Sequence, residues 1–331
     1  MSSTLNPDAG ASGVGKAAEV HRLGEASRPI AGDEKAAGSS KHRVFSFRRV
    51  AAICTNTLTE LARMKVFYVL LLFALILIGG SVFLARFSFQ QEFQILKDIS
   101  LGTMSIFSSL LAIVATARLI PQDLEDRTIY SILAKPVPRF EYLLGRLGGT
   151  LLLLGITMLA MTALFLVMLY TREQAVLHET ARQMSAAPAD QVAQTMQTIR
   201  AAALNVNLIS GIVLIFVKAC LLTSLTLFVS TFASTNIFTV VVMVFIYFIG
   251  HLQGIAREYW LHQHGAGWAT RLFLAVVALV FPDLQAFNIV DEVVVGTAIP
   301  MLLVLKTAGL GLFYIVVYTA LAVVVFSGKE L

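Results

Sequence analysis

RLIPQDLEDRTIYSILAKPVPRFEYLLGR, residues 118–146, is a charged segment between two long apolar runs. Its acidic residues come early and a basic residue late, in the order Asp123, Glu125, Asp126 and Lys135. This order complements a helix dipole, and Pro136 and Pro138 would end the helix. Side chains of one helical face recur at Leu124, Thr128, Ile129, Ile132 and Leu133. The spacing predicts a short amphipathic helix. Periodicity alone is equally compatible with an ordinary solvated loop helix and with a helix that transmits force.

The composition of the whole chain identifies its class. Hydrophobic residues make up 57% of the 331 residues and charged residues 14%, and the mean hydropathy is +0.79. Because soluble globular chains are about half apolar and about a quarter charged, this chain is expected to be an integral membrane protein with lipids as partners. The net charge of +5 lies mostly in the tail and the loops. Nucleic acid is therefore not an expected partner.

Six apolar runs are long enough to cross a bilayer, whose core of about 30 Å needs about twenty helical residues. They are residues 66–85, 99–117, 147–171, 207–229, 237–254 and 307–326. Residues 272–281 are apolar but too short, and they fit either a re-entrant or an interfacial helix. Residues 86–98 are predicted to be a short polar loop. The fold class predicted is an all-α integral membrane protein with six transmembrane helices.

Two segments before the first run have distinct patterns. Residues 1–43 are rich in Gly, Ala, Ser and charge, which predicts a disordered tail. Within it, residues 10–17 resemble a phosphate-binding loop, but Ala17 replaces the hydroxyl that magnesium needs and no strand precedes it. The chain is therefore not expected to bind ATP. Residues 45–64 carry one apolar helical face and predict a helix in the membrane interface. That face consists of Phe47, Val50, Cys54, Leu58 and Leu61.

The longest polar segment between two runs is residues 172–203. It is helix-prone and interrupted once, at Pro188, so it predicts a helical hairpin standing outside the membrane. No catalytic group or metal site is predicted. The three neighbouring histidines, His251, His262 and His264, lack a carboxylate motif that would accompany a zinc site.

Polar side chains inside the runs are candidates for a translocation path. Lys218 lies near the middle of the fourth run, where an ammonium group is costly and needs a partner or a cavity. Structural pairing or snorkelling to the interface is favoured over a role in the path. The second run carries Ser105, Ser108 and Ser109. Their hydroxyls suit close helix packing and also a polar path, and packing is the favoured interpretation.

The order of residues within 118–146 carries a further signal. EDRTIY at 125–130 is followed by ILAKPVPR at 132–139 and by LGR at 144–146. This order resembles the coupling segment of type-2 ABC exporter permeases, and it is most similar to the branch that includes the permease for maturation of multicopper enzymes. FPDLQAFN at 281–288 resembles a segment between the last two spans of that family. The resemblance covers about residues 45–331.

The resemblance implies a transmembrane permease domain over residues 45–331. Residues 45–64 would be its elbow helix, 118–146 its cytoplasmic coupling segment and 172–203 an extracytoplasmic hairpin. The residues implied to couple to an ATPase are Asp123, Glu125, Asp126, Arg127, Ile129, Ile132, Leu133, Lys135 and Arg139. The implied partners are an ABC ATP-binding subunit, which would carry ATP and magnesium, and a second permease copy or a related chain. This chain itself would bind no cofactor.

The location implied is the inner (plasma) membrane of the cell, with both termini, and so the tail of residues 1–43, in the cytoplasm. Much of the predicted excess of Lys and Arg on the inner side comes from that tail, and long segments count for less in the positive-inside rule. The orientation therefore rests partly on the family resemblance.

Two other functions are compatible with the sequence. The chain could be a stand-alone ion-coupled carrier or channel that uses Lys218 and the hydroxyls of the second run. Carriers often contain internal repeats, however, and none is evident here. The chain could also be a non-transporting scaffold that passes ATPase motion to an outer partner through residues 172–203. The cargo is not identified, and the apolar spans fit lipids, hydrophobic peptides or drugs.

Overall fold

A computed structural model describes residues 46–85, 91–125, 138–185, 188–205, 207–262, 268, 272, 281–295 and 299–328. These ranges contain helices and no strand. The helices are α1 (Phe47–Ala62), α2 (Lys65–Ala85), α3 (Glu92–Ala117), α4 (Leu119–Glu125), α5 (Arg139–Gln183), α6 (Ala189–Ala203), α7 (Asn207–Phe232), α8 (Asn236–His262), α9 (Val290–Val295) and α10 (Met301–Ser327). A single 3-10 turn, Gln285–Phe287, precedes α9.

The helical fold and the six apolar helices predicted from the sequence are confirmed for the described residues, since six helices there are long and apolar enough to cross a membrane. The predicted loop at 86–98 is wrong for residues 92–98, which form the first turns of α3. Helix α5 is 45 residues long and extends well beyond the predicted run of 147–171 at both ends. It contains no proline, the residue that interrupts a helix most strongly.

Helices α3 and α7 form the centre of the bundle. In the most apolar 18-residue stretch of each helix, 67% of α3 and 72% of α7 is buried, whereas the corresponding share is 22% in each of α2, α8 and α10. The outer helices instead expose large side chains such as Leu72, Phe245 and Phe313. A surface this apolar suits contact with lipid or with another membrane chain. Most Ser and Thr residues of α3 and α7, together with Lys97 and Lys218, are therefore buried inside the bundle and away from that surface.

Helix α1 packs along the first turns of α5 through glycines. A Cβ atom added to Gly145 would lie 2.6 Å from Cβ of Ile53, and one added to Gly149 would lie 2.6 Å from Cβ of Thr57. Small residues at such positions let two helices approach closely. The buried face of α1 includes Thr57, whereas Phe47 of the predicted apolar face is exposed. The packing of α1 on α5 thus sets where the chain enters the bundle.

Several predictions fall outside the described residues. These are the tail of residues 1–43 with its phosphate-loop resemblance, residues 126–137 of the charged segment, and most of 272–281. The two helices expected on either side of Pro188 are present, as the end of α5 and as α6. Which side of the membrane they occupy stays a prediction.

Candidate coupling site

The charged segment begins with a buried ion pair. Helix α4 follows α3 after the single turn residue Arg118 and carries Asp123, which is 5% exposed. Its carboxylate pairs with the guanidinium of Arg146, which is 4% exposed and lies two turns into α5. The hydroxyl of Tyr142, one turn before Arg146, donates to the same carboxylate oxygen. Helix α4 is therefore bonded directly to the start of α5.

Arg146 also joins these two helices to α1. Its Nη1 donates to Oε2 of Glu60 at 2.5 Å, and the Glu60 side chain is 35% exposed. A guanidinium can bind two carboxylates at once because its donors point in a fixed fork. The guanidinium also lies 5.6 Å from the centroid of the Tyr142 ring. We call Glu60, Asp123, Tyr142 and Arg146 the arginine cluster.

A second ion pair connects α1 to α5 one turn earlier. Glu141 is fully buried, and its Oε1 accepts a hydrogen bond from the backbone nitrogen of Ser46 at 2.8 Å. Its Oε2 lies 3.1 Å from Nε of Arg49. The carboxylate thereby satisfies a backbone donor at the start of α1, where helix donors lack partners within the helix. Both ends of α1 are thus held to α5.

Arg139, the first residue of α5, holds the end of the last helix. Its Nη1 donates to the carbonyl oxygens of Phe326 at 3.1 Å and of Ser327 at 2.8 Å. A cation there complements the negative end of the helix dipole and satisfies carbonyls that lack helical partners. The rings of Tyr142 and Phe326 stack with centroids 5.9 Å apart. Helix α10 therefore ends against the same cluster that holds α1 and α4.

This arrangement can carry force but contains no group set up for covalent chemistry. Four elements, namely α1, α4, α5 and α10, meet beside the two described residues that flank 126–137, Glu125 and Pro138. Separating a buried ion pair is costly because the charges would lose each other in a medium of low dielectric constant. A displacement of α4 would thus be passed to the other three helices.

The predicted ATPase-coupling residues fall into three groups. Asp123 and Arg139 are engaged inside the chain, in the contacts above. Glu125, the last residue of α4, is exposed. The remaining residues lie outside the described residues: Asp126, Arg127, Ile129, Ile132, Leu133 and Lys135. The direct contact of these residues with an ATPase stays a prediction.

The predicted path residues meet in the centre of the bundle. Lys218 of α7 is 1% exposed, and its Nζ donates to Oγ of Ser105 in α3 at 2.5 Å. Ser108 and Ser109 are buried, and both donate to the carbonyl oxygen of Ser105. These contacts are those of helix packing. A cavity of about 200 Å³ adjoins them, lined by Ser109 and by residues of α8 that include Tyr247. A role in translocation stays a prediction.

Sequence reasoning missed most of the arginine cluster as a site. Arg146 was part of the family pattern, yet its partners Glu60 and Asp123 lie 86 and 23 residues away in the chain. The signal in the sequence was the presence of charged residues within an apolar stretch, since Glu141 and Arg146 stand among Tyr, Leu and Gly at the start of a membrane helix. Among the described residues no group of three or more His, Cys, Asp and Glu side chains could hold a metal ion.

Comparison with known protein families gives a match. Residues 17–331 match the family described as ABC-2 family transporter protein. The match spans the arginine cluster, residues 126–137 and all six apolar helices. No curated protein matches the sequence.

Proposed function

The chain belongs to the ABC-2 transporter family, and on that premise we propose that it receives motion from a separate ATPase through residues 118–146. As a member of the family it is a multi-pass membrane permease subunit of an ABC transporter, and such permeases work with ABC ATP-binding subunits. We assign ATP and magnesium to that partner. The observation that carries the proposal is the Asp123–Arg146 ion pair, which bonds the beginning of the segment to α5.

The ends and the middle of the segment have different proposed roles. Asp123 and Arg139 are internal anchors, because their charged groups are already bonded within the chain. Glu125 is exposed and is followed by Asp126 and Arg127, so these three charges would bond the ATPase. The apolar residues would pack into its groove, and the late cation would complete the contact: Ile129, Ile132, Leu133 and Lys135.

Transmission would then follow the contacts in order. A push on residues 126–137 moves α4, and Asp123 moves Arg146 with it because a buried carboxylate without its cation is strongly destabilised. Arg146 belongs to α5, so the long helix tilts, and Glu60 and Glu141 bring α1 along. Through Arg139 the end of α10 follows. The four elements would thereby move as one body against α3 and α7.

The remaining features are proposed from the family resemblance. They are export rather than uptake, the multicopper-enzyme-maturation branch, a plasma-membrane location with cytoplasmic termini, and pairing with a second permease copy or a related chain. The large apolar surfaces of α2, α8 and α10 support contact with lipids and with such a partner.

The test is a double charge reversal, Glu125→Lys with Asp126→Lys, in the chain co-purified with its ATP-binding subunit. We expect loss of complex formation, or of the ATPase stimulation that the permease gives in nanodiscs, because attraction at the docking surface becomes repulsion. The matched control is Glu179→Lys with Asp190→Lys, two exposed acids beyond the far end of the apolar run of α5. Normal assembly and stimulation in the first variant would refute the proposal.

Orientation is tested separately by labelling. Cysteine introduced at Glu125, in a chain without Cys54 and Cys220, should react with a membrane-impermeant maleimide from the side that holds the ATPase. Cysteine introduced at Glu179 should react only from the other side. The reverse pattern would contradict a coupling role for the segment.

A further inference from the structure

A polar cavity lies at the end of the bundle opposite the arginine cluster. It has a volume of about 360 Å³ and is lined by the start of α3, the end of α6 with the residues after it, and the end of α9. Amide side chains line one part of it, from Gln91, Gln94 and Asn205. Phe93 and Val294 supply apolar walls. The cavity thus combines hydrogen-bonding groups with an apolar surface.

The cavity contains a buried cation. Lys97 is 3% exposed and lines the wall, and its Nζ donates to the carbonyl oxygen of Ala202 at 2.6 Å. An ammonium group has three donors, so one carbonyl does not satisfy it. Within the described ranges no carboxylate forms an ion pair with Lys97. The adjacent acid Glu92 pairs with Arg172 at 2.5 Å, and Asp98 is exposed.

The position of Lys97 along α3 indicates what would compensate its charge. It lies two residues before the apolar run that starts at Ile99, which corresponds to about 3 Å along the helix. Taking the apolar run as the bilayer core places the ammonium at the level where lipid headgroups meet acyl chains. A ligand at that depth presents an acid toward Lys97 and the amides, and chains toward Phe93 and Val294. Strong charge-assisted hydrogen bonds would hold the acid.

We propose that this cavity binds the anionic headgroup, a phosphate or carboxylate, of a membrane amphiphile, with Lys97 as its cation. The site is separate from the proposed coupling contact, so either can fail without the other. Binding here joins α3 to α6 and α9, three elements that do not take part in the arginine cluster.

The experiment measures binding to the detergent-solubilised full chain. The thermal unfolding midpoint is followed while dioleoyl-phosphatidylglycerol, dioleoyl-phosphatidylcholine or inorganic phosphate is added. We expect phosphatidylglycerol to stabilise the protein most. Lys97→Met should weaken its apparent affinity about tenfold or more, the loss of one charged hydrogen bond, and Lys97→Arg should retain most of it. The matched control is Lys306→Met, since Lys306 is exposed and lies six residues into α10.

A second variant keeps the test decisive if Lys97→Met does not fold. Gln94→Glu places a carboxylate three residues before Lys97 on the same wall, so it should compete with the ligand while the bond to Ala202 remains. Unchanged preference for phosphatidylglycerol in this variant would overturn the proposal. So would a Lys97-dependent effect of inorganic phosphate equal to that of the lipid, since the occupant would then be a free anion.

Discussion

Removal of single charges from the arginine cluster should destabilise the protein in a defined order. The variants are Arg146→Met, Asp123→Asn and Glu60→Gln, each close in size to the residue it replaces. The order follows from burial and from what each change leaves behind. Arg146 and Asp123 are 4% and 5% exposed, whereas the Glu60 side chain is 35% exposed.

The largest loss is expected for Arg146→Met, at about 3–5 kcal/mol, because it leaves the buried Asp123 carboxylate without its cation. Asp123→Asn should cost less, about 2–3 kcal/mol, since Arg146 still pairs with Glu60 and Tyr142 still has a hydrogen-bond partner. Glu60→Gln should cost about 0–1 kcal/mol, the range of partly exposed pairs. The double change of Asp123 and Arg146 should cost less than the sum of the two.

Equilibrium unfolding in mixed micelles measures these differences, and the double variant gives the coupling energy of the pair. We expect coupling of about 2 kcal/mol or more for two residues in direct contact. Additive losses for Asp123 and Arg146, or a Glu60 effect as large as that of Arg146, would refute the description of a buried, mutually dependent cluster.

Two further predictions concern α1. Gly149→Ala should lower the free energy of unfolding by about 1–3 kcal/mol, because the added Cβ would lie 2.6 Å from Cβ of Thr57 and 2.7 Å from the carbonyl oxygen of Cys54. The control Gly80→Ala should not destabilise the protein, since a Cβ there would have no neighbour within 4 Å. Burial raises the pKa of the Cys54 thiol above its usual value. Since only the thiolate reacts, its maleimide labelling should be slow at neutral pH and rise only at higher pH than that of a free thiol, and a pH profile identical to a free thiol would contradict this.

The membrane helices could be predicted from the sequence because hydropathy reports directly on burial in lipid. Hydropathy does not report the ends of a helix where polar residues extend it beyond the bilayer. Residues 92–98 carry Glu92, Lys97 and Asp98, and their polarity indicated a loop. In the structure Glu92 and Lys97 find partners in Arg172 and Ala202, so the helix begins earlier than hydropathy alone indicated.

The sequence could place the charged segment between two apolar runs, but it could not give the contacts of that segment. The order of charges predicted Asp123 at the start of an amphipathic helix, where an acid suits the helix dipole. That prediction is wrong for the described part of the segment, because α4 begins at Leu119 and has Asp123 in its last turn. Its bond to Arg146 depends on how α4 turns back onto α5, which spacing within one segment does not determine. Residues 126–137 lie outside the described residues, so their apolar and polar helical faces stay predictions.

The length of α5 connects the two ends of the molecule described above. Arg146 and Arg172 are 26 residues apart on this one continuous helix, which corresponds to about 39 Å. Arg146 is held by the arginine cluster, and Arg172 is paired with Glu92 at the start of α3, five residues from Lys97. As a rigid rod, the helix would displace its far end by about 3 Å for a tilt of about 5°. Motion received at Asp123 would therefore extend to the Glu92–Arg172 pair, beside the Lys97 cavity.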